Sequence, residues 1–193
     1  MSHRKKLLRL TLFATFSLLI LAGCGSAPLV FLNRSYDFNY IERVAVIPFE
    51  NLSQTQGTGE YATLMFITQL LATETFDVVE PGETVKALND LSLARTNTLS
   101  VDQIVALGNR LKVQALIFGT VGESTTTRSG SVAVPTVSMD VRMVETEKGT
   151  TVWSAAYTYG HPSLWSSLFG TAGKSTSETM KGCIHGILKT LIK

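Results

Sequence analysis

The chain has 193 residues, 45% of them hydrophobic and 17% charged, which suits one ordinary domain with its own core plus a tail. Seventeen Lys and Arg against fifteen Asp and Glu give a formal charge of +2, which excludes the dense basic footprint of a nucleic-acid binder. The excess sits at the start: Arg4, Lys5, Lys6 and Arg9 precede the apolar run Leu10–Leu21, and the small residues Ala22 and Gly23 follow. A basic head, an apolar stretch too short to span a bilayer comfortably and a small-residue end predict a secretory signal, not a membrane helix.

The tetrapeptide Leu21-Ala22-Gly23-Cys24 resembles the bacterial lipobox. That resemblance implies cleavage between Gly23 and Cys24, a diacylglycerol on the Cys24 thiol and an acyl group on the new amine. Three chains at about 0.8 kcal/mol per buried methylene would make the anchor effectively permanent. The alternative is an ordinary signal peptide whose cleavage site happens to precede a cysteine. Removal of residues 1–23 leaves 170 residues carrying 13 basic and 15 acidic side chains, so the mature balance is slightly acidic. Cys183 is then the one unmodified cysteine, which rules out an internal disulfide.

Residues 25–40 lack a clean period and read as a tether of sixteen residues, reaching at most about 55 Å. Within it Leu29–Leu32 is unusually apolar, suited to its own domain, the bilayer or a neighbouring subunit. The β-branched run Ile41–Phe49 predicts a buried first strand ended by Pro48. A polar loop follows over Asn51–Gly59. From Gly59 to Thr75 the residues Leu64, Ile67, Leu70 and Leu71, with Tyr61 and Phe66, fall at helical spacing. Phe76–Val79 reads as a short strand, and Pro81 opens a helix through Val85, Leu88 and Leu91. Ser100 and Gln103 form a capping box before Ile104, Leu107 and Leu111.

Ala115–Gly119 is a further apolar strand, with a possible extension to Glu123. Val137, Met139, Val141 and Met143 alternate with Ser138, Asp140 and Arg142, the period of a strand with one wet face. Glu145–Gly149 is a turn and Val152–Tyr159 the return strand of a hairpin. Ser175 and Glu178 form a second capping box, ahead of Met180, Cys183, Ile184, Ile187, Leu188 and Leu191 on one helical face. Cys183 therefore belongs to the core. The predicted order β-α-β-α-α-β-β-β-α is an α/β layer of helices on a mixed sheet, a single domain over residues 41–193.

Several of these segments, in order, resemble the CsgG-type lipoproteins and their LpoB-like and TolB amino-terminal-domain relatives. They are Arg43–Asn51, Phe76–Pro81, Ala106–Gly119, Val141–Gly149 and Val152–Ser154. The resemblance implies a periplasm-facing domain on an outer-membrane lipoprotein whose work is protein–protein assembly; Gly25 directly after Cys24 agrees, since an aspartate there marks inner-membrane retention. The curli secretion channel builds its pore from added amphipathic hairpins. Here the loops Asn51–Thr58, Ser124–Pro135 and Gly160–Lys174 are shorter or lack alternation, whereas a membrane-spanning strand needs about 9–11 alternating residues. No pore is expected. The short tether also differs from the long leash of an LpoB-like activator, and favours partners near the outer membrane.

Candidate chemistry is sparse. Gly173-Lys174-Ser175-Thr176 before a helix suggests a phosphate loop, but Leu168 stands where that motif needs its first glycine, and nucleotide is scarce outside the cytoplasm. His161 and His185 lack ligand spacing, and His185 lies about 200° around a helix from Cys183. No serine sits in Gly-x-Ser-x-Gly. Asp140, Glu145 and Glu147 suit a solvated strand face and turn better than acid–base work. The segment His161–Gly170 places Leu164, Trp165, Leu168 and Phe169 where a connection is normally polar, as a core closure, a membrane contact or a partner-binding turn.

These residues support a non-enzymatic outer-membrane lipoprotein that assembles or scaffolds envelope machinery, with an envelope protein or a second copy of itself as partner. No cofactor, metal, nucleotide or nucleic acid is expected, the covalent lipid on Cys24 apart. Two other readings stand beside it: an activator of a penicillin-binding protein, and an envelope hydrolase or ligand-binding domain.

Overall fold

Val44 and Val46 point to one side of a sheet and Ala45 and Ile47 to the other, and all four are buried. A strand covered on both faces reads as a continuous apolar run, which is why Ile41–Phe49 shows no alternation. The structure, a computed structural model, describes residues 27–93, 96, 98–129, 132–160 and 175–192. Among these residues seven strands form one sheet: β1 Leu29–Leu32, β2 Arg43–Val46, β3 Glu50–Asn51, β4 Asp77–Val78, β5 Ala115–Ser129, β6 Val132–Glu145 and β7 Thr151–Tyr159. Their order is β1-β7-β6-β5-β2-β4, with β3 also on β5. Pairing around β2 is parallel and from β5 to β1 antiparallel, so the sheet is mixed.

Among the described residues four α-helices cover it: α1 Thr58–Leu71, α2 Pro81–Asp90, α3 Val101–Leu111 and α4 Thr176–Leu191. Helices α1 and α4 enclose one core with Phe66, Leu70, Ile117, Met139, Met143, Trp153 and Ile184. Helices α2 and α3 enclose a second, with Leu88, Leu107, Leu111, Leu116 and Val144 on the opposite face. Both predicted capping boxes form, Ser100 with Gln103 and Ser175 with Glu178. On α4, Gly182 and Gly186 leave room for the rings of Tyr159 and Tyr157, which lets the helix settle closely on β7. Cys183 is fully buried there, and burial pushes its thiol up to about 12. His185, two residues on, is exposed.

Several expectations need correction. Leu29–Leu32, read above as part of the tether, is an edge strand held antiparallel to β7. The ladder of β2 stops at Pro48, which has no N–H to donate, and resumes as β3 at Glu50. On α1 the buried stripe is Ala62, Thr63, Phe66, Ile67 and Leu70, while Tyr61, Leu64 and Leu71 face outward at 44%, 57% and 51% exposure. Thr63 displaces an apolar residue because its hydroxyl works in the core: it accepts the Phe49 N–H at 2.8 Å and donates to the Gly59 carbonyl at 2.8 Å. Val85 on α2 is likewise exposed, with Thr84 and Ala87 buried instead.

The Ser124–Pro135 segment is not a loop. It continues β5 and β6 into a hairpin paired as far as Ser129 and Val132. The run Thr125–Thr127 is β-branched and suits a strand, yet three polar residues in succession show no alternation to read. Beyond the last β6–β7 pair, Val137 with Tyr159, the projecting part is five residues on each strand, about half of what a membrane-spanning strand requires.

Candidate functional site

Among the described residues the second face of the sheet is only half covered: helices α2 and α3 pack over β2 and β5 and reach Val144 on β6, and the rest of that face on β6, β7 and β1 is open. Strand register places Phe118, Arg142, Ser154 and Phe31 in one row across that face, and Thr120, Asp140, Ala156 and Leu29 in the next. The Arg142 guanidinium carbon lies 4.7 Å from the centroid of the Phe118 ring, a cation–π contact. Burial draws that guanidinium below its ordinary value of 12.5, and it remains a cation at neutral pH.

Beside this contact is a cavity of about 200 Å³ lined by Glu50, Thr120, Asp140, Arg142 and Ser154 over Phe118. Its lining brings together one cation, two acids and the hydroxyl residues Thr96, Thr120 and Ser154. Small-molecule sites usually run to about 300–1,000 Å³. Among the described residues no group of three or more His, Cys, Asp or Glu is placed to hold a metal ion.

The acids gathered near the β6–β7 turn separate into different roles. Asp140 is exposed on the open sheet face. Glu147 is exposed and accepts the Tyr40 hydroxyl at 2.9 Å. Glu145, expected to be solvated, is only 4% exposed. Its carboxylate accepts the backbone N–H groups of Glu147, Lys148 and Thr150 at 2.8–3.1 Å and so closes the turn. Burial would raise its pKa, but these three donors outweigh burial and hold it below the ordinary carboxylate value. Glu145 is a structural clamp, and its pattern Glu-Thr-Glu-Lys-Gly gave no sign of burial.

The features of this surface that stand out are apolar. Leu29, Val30, Phe31 and Leu32 are exposed by 78%, 41%, 54% and 42%, four in succession on an edge strand that native sheets usually blunt with charge. A second stripe, Tyr61, Leu64 and Leu71, runs along the outside of α1 over the other half of the sheet. Sequence periodicity assigned that stripe to the core. No described helix is long and apolar enough to cross a membrane. Gly23, Cys24, His161, Leu164, Trp165, Leu168, Phe169, Gly173 and Lys174 lie outside the described residues.

No protein-family model matches the chain, and no curated protein is significantly similar to it. Solved structures do resemble it. The PelC dodecamer from Paraburkholderia phytofirmans superposes with a TM-score of 0.60 at 17% identity, covering 87% of this chain and 100% of PelC. Lipoprotein GNA1162 from Neisseria meningitidis gives 0.57 at 16% identity over 78% of this chain and 97% of its own. The LpoB C-terminal domain from Salmonella enterica is more distant, at 0.48 and 12% over 74% and 91%. At such identities PelC and GNA1162 establish a shared α/β fold, one that a known lipoprotein also adopts.

Proposed function

We propose that this chain is a lipid-anchored protein of the bacterial envelope, facing the periplasm from the outer membrane through Cys24, and that it works without catalysis as an assembly or scaffold component in the manner of the CsgG-type lipoproteins. The observation that carries the reading is a juxtaposition in the chain: the lipobox-like Leu21–Cys24 stands five residues before a folded, exposed apolar edge strand. A scaffold needs a fixed attachment close to its folded domain and a surface to present; in this reading Cys24 gives the first and the exposed α1 stripe the second. The shared fold with GNA1162, a lipoprotein, and with PelC, solved as a dodecamer, supports it. In this reading the α1 stripe of Tyr61, Leu64 and Leu71 meets a second copy of the chain, because exposed aromatic and aliphatic side chains of this kind anchor protein interfaces.

Crosslinking in intact cells tests the proposal. It predicts capture of multiples of the chain or of a specific envelope protein. Recovery of the chain crosslinked to no protein would count against assembly as its role.

A further inference from the structure

We infer that the edge strand β1 lies on the surface of the bilayer beside its own anchor, with Leu29 and Phe31 seated at headgroup depth. The inference rests on Cys24 carrying the lipid. Leu29 is five residue steps from Cys24, so the membrane lies no more than about 18 Å from the start of β1.

The hairpin limits how the domain can stand within that reach. Leu29 shares its row with Ala156, Asp140 and Thr120, and from Asp140 the β6 strand runs eight residues back to Val132 at the hairpin end. At about 3.4 Å per residue, that end stands about 27 Å past Leu29, on the side from which the chain enters β1. A domain standing upright on an 18 Å leash would drive the hairpin into the bilayer. Glu123 and Thr126 on its β5 strand are exposed and polar, and its five-residue projecting strands fall short of a span. The remaining arrangement lays the sheet with its β1 edge lowest and the hairpin running above the surface, about two strand spacings, or about 10 Å, away.

The composition of the edge agrees. Residues 25–36 contain a single charge, Arg34, two residues past the end of the apolar quartet, a cation suited to anionic headgroups. Among the described residues no strand pairs with the outer edge of β1, and backbone groups on such an edge need water, so the strand belongs at the wet interface and not in the hydrocarbon.

The test uses the full lipidated chain carrying Phe31→Cys, Thr126→Cys or Val85→Cys, each labelled with an environment-sensitive dye. Cys183 is fully buried and does not compete for label. The protein is reconstituted in phosphatidylethanolamine–phosphatidylglycerol vesicles with and without a headgroup-depth nitroxide lipid, and its intact mass reports the lipid on Cys24. Quenching of about twofold is expected at position 31, with little at 126 or 85. A lipidated chain that is unquenched at 31, whether wet or covered by another copy, overturns the docking alone. So does quenching at 126 that equals or exceeds that at 31. A chain bearing no lipid on Cys24 overturns the docking together with the anchored reading beneath it.

Discussion

Leu32 stands opposite Trp153 across the β1–β7 ladder, and the two occupy contrasting environments: Trp153 is fully buried and Leu32 is 42% exposed. Helix α4 accounts for the difference. It packs over β6 and β7, where the Trp153 indole N–H donates to the Thr190 hydroxyl at 3.1 Å, and stops short of covering β1. Trp153→Ala should therefore cost about 3–5 kcal/mol in urea unfolding, whereas Leu32→Ser should stay within about 0.5 kcal/mol. Equal losses would mean that β1 is core.

The Glu145 clamp makes stability depend on acid. Its folded pKa is depressed, so the unfolded chain takes up the proton first as pH falls. The stabilisation is complete above the ordinary value of 4.5 and is lost as pH drops through the lower folded value. Glu145→Gln should remove that part of the pH dependence and cost about 1–3 kcal/mol at pH 7. Denaturation midpoints between pH 3 and 7 measure both effects; an unchanged acid slope in the variant would contradict the assignment.

Helix α3 passes so close to the β6–β7 turn that a Cβ on Gly108 would overlap the Thr146 side chain. Thr146 is pinned by its hydroxyl, which donates to the Val113 carbonyl at 2.7 Å. Alanine gains about 1 kcal/mol of helix propensity, and the overlap costs about 1–3 kcal/mol, so Gly108→Ala should be net destabilising. Gly82→Ala on α2 meets no atom within 4 Å and should be neutral or stabilising. Thermal melts of the two variants decide it.

On α1, Leu64→Lys with Leu71→Lys changes two exposed side chains and should leave the thermal midpoint nearly unaltered. If copies of the chain meet through this stripe, light scattering of the detergent-solubilised protein should show a smaller species than the unaltered chain. An unchanged mass would exclude the stripe from the contact.

The layered fold was legible because burial on two faces leaves its mark in the β-branched run of β2 and in the 3.6-residue stripes of α3 and α4, and because both capping boxes declare a helix start. What escaped had no such pattern. Leu29–Leu32 is apolar on both faces of an edge, so no alternation marks it as a strand. The hairpin arms are rich in threonine, with Thr125 and Thr126 exposed, and a run of β-branched polar residues carries no alternation to read. On α1 the buried Thr63 and the exposed Leu64 invert the expected polarity, since a core hydroxyl with two partners costs little. Glu145 looked like a surface acid because its three donors are backbone amides, which a sequence does not display.

The proposed envelope role requires a mature chain that begins at a lipid-bearing cysteine. Mass spectrometry of the amino-terminal peptide from membrane-extracted protein measures this directly. The expected peptide starts at Cys24 and carries a diacylglyceryl thioether with an acylated amine. A peptide starting elsewhere, or an unmodified Cys24, would contradict it.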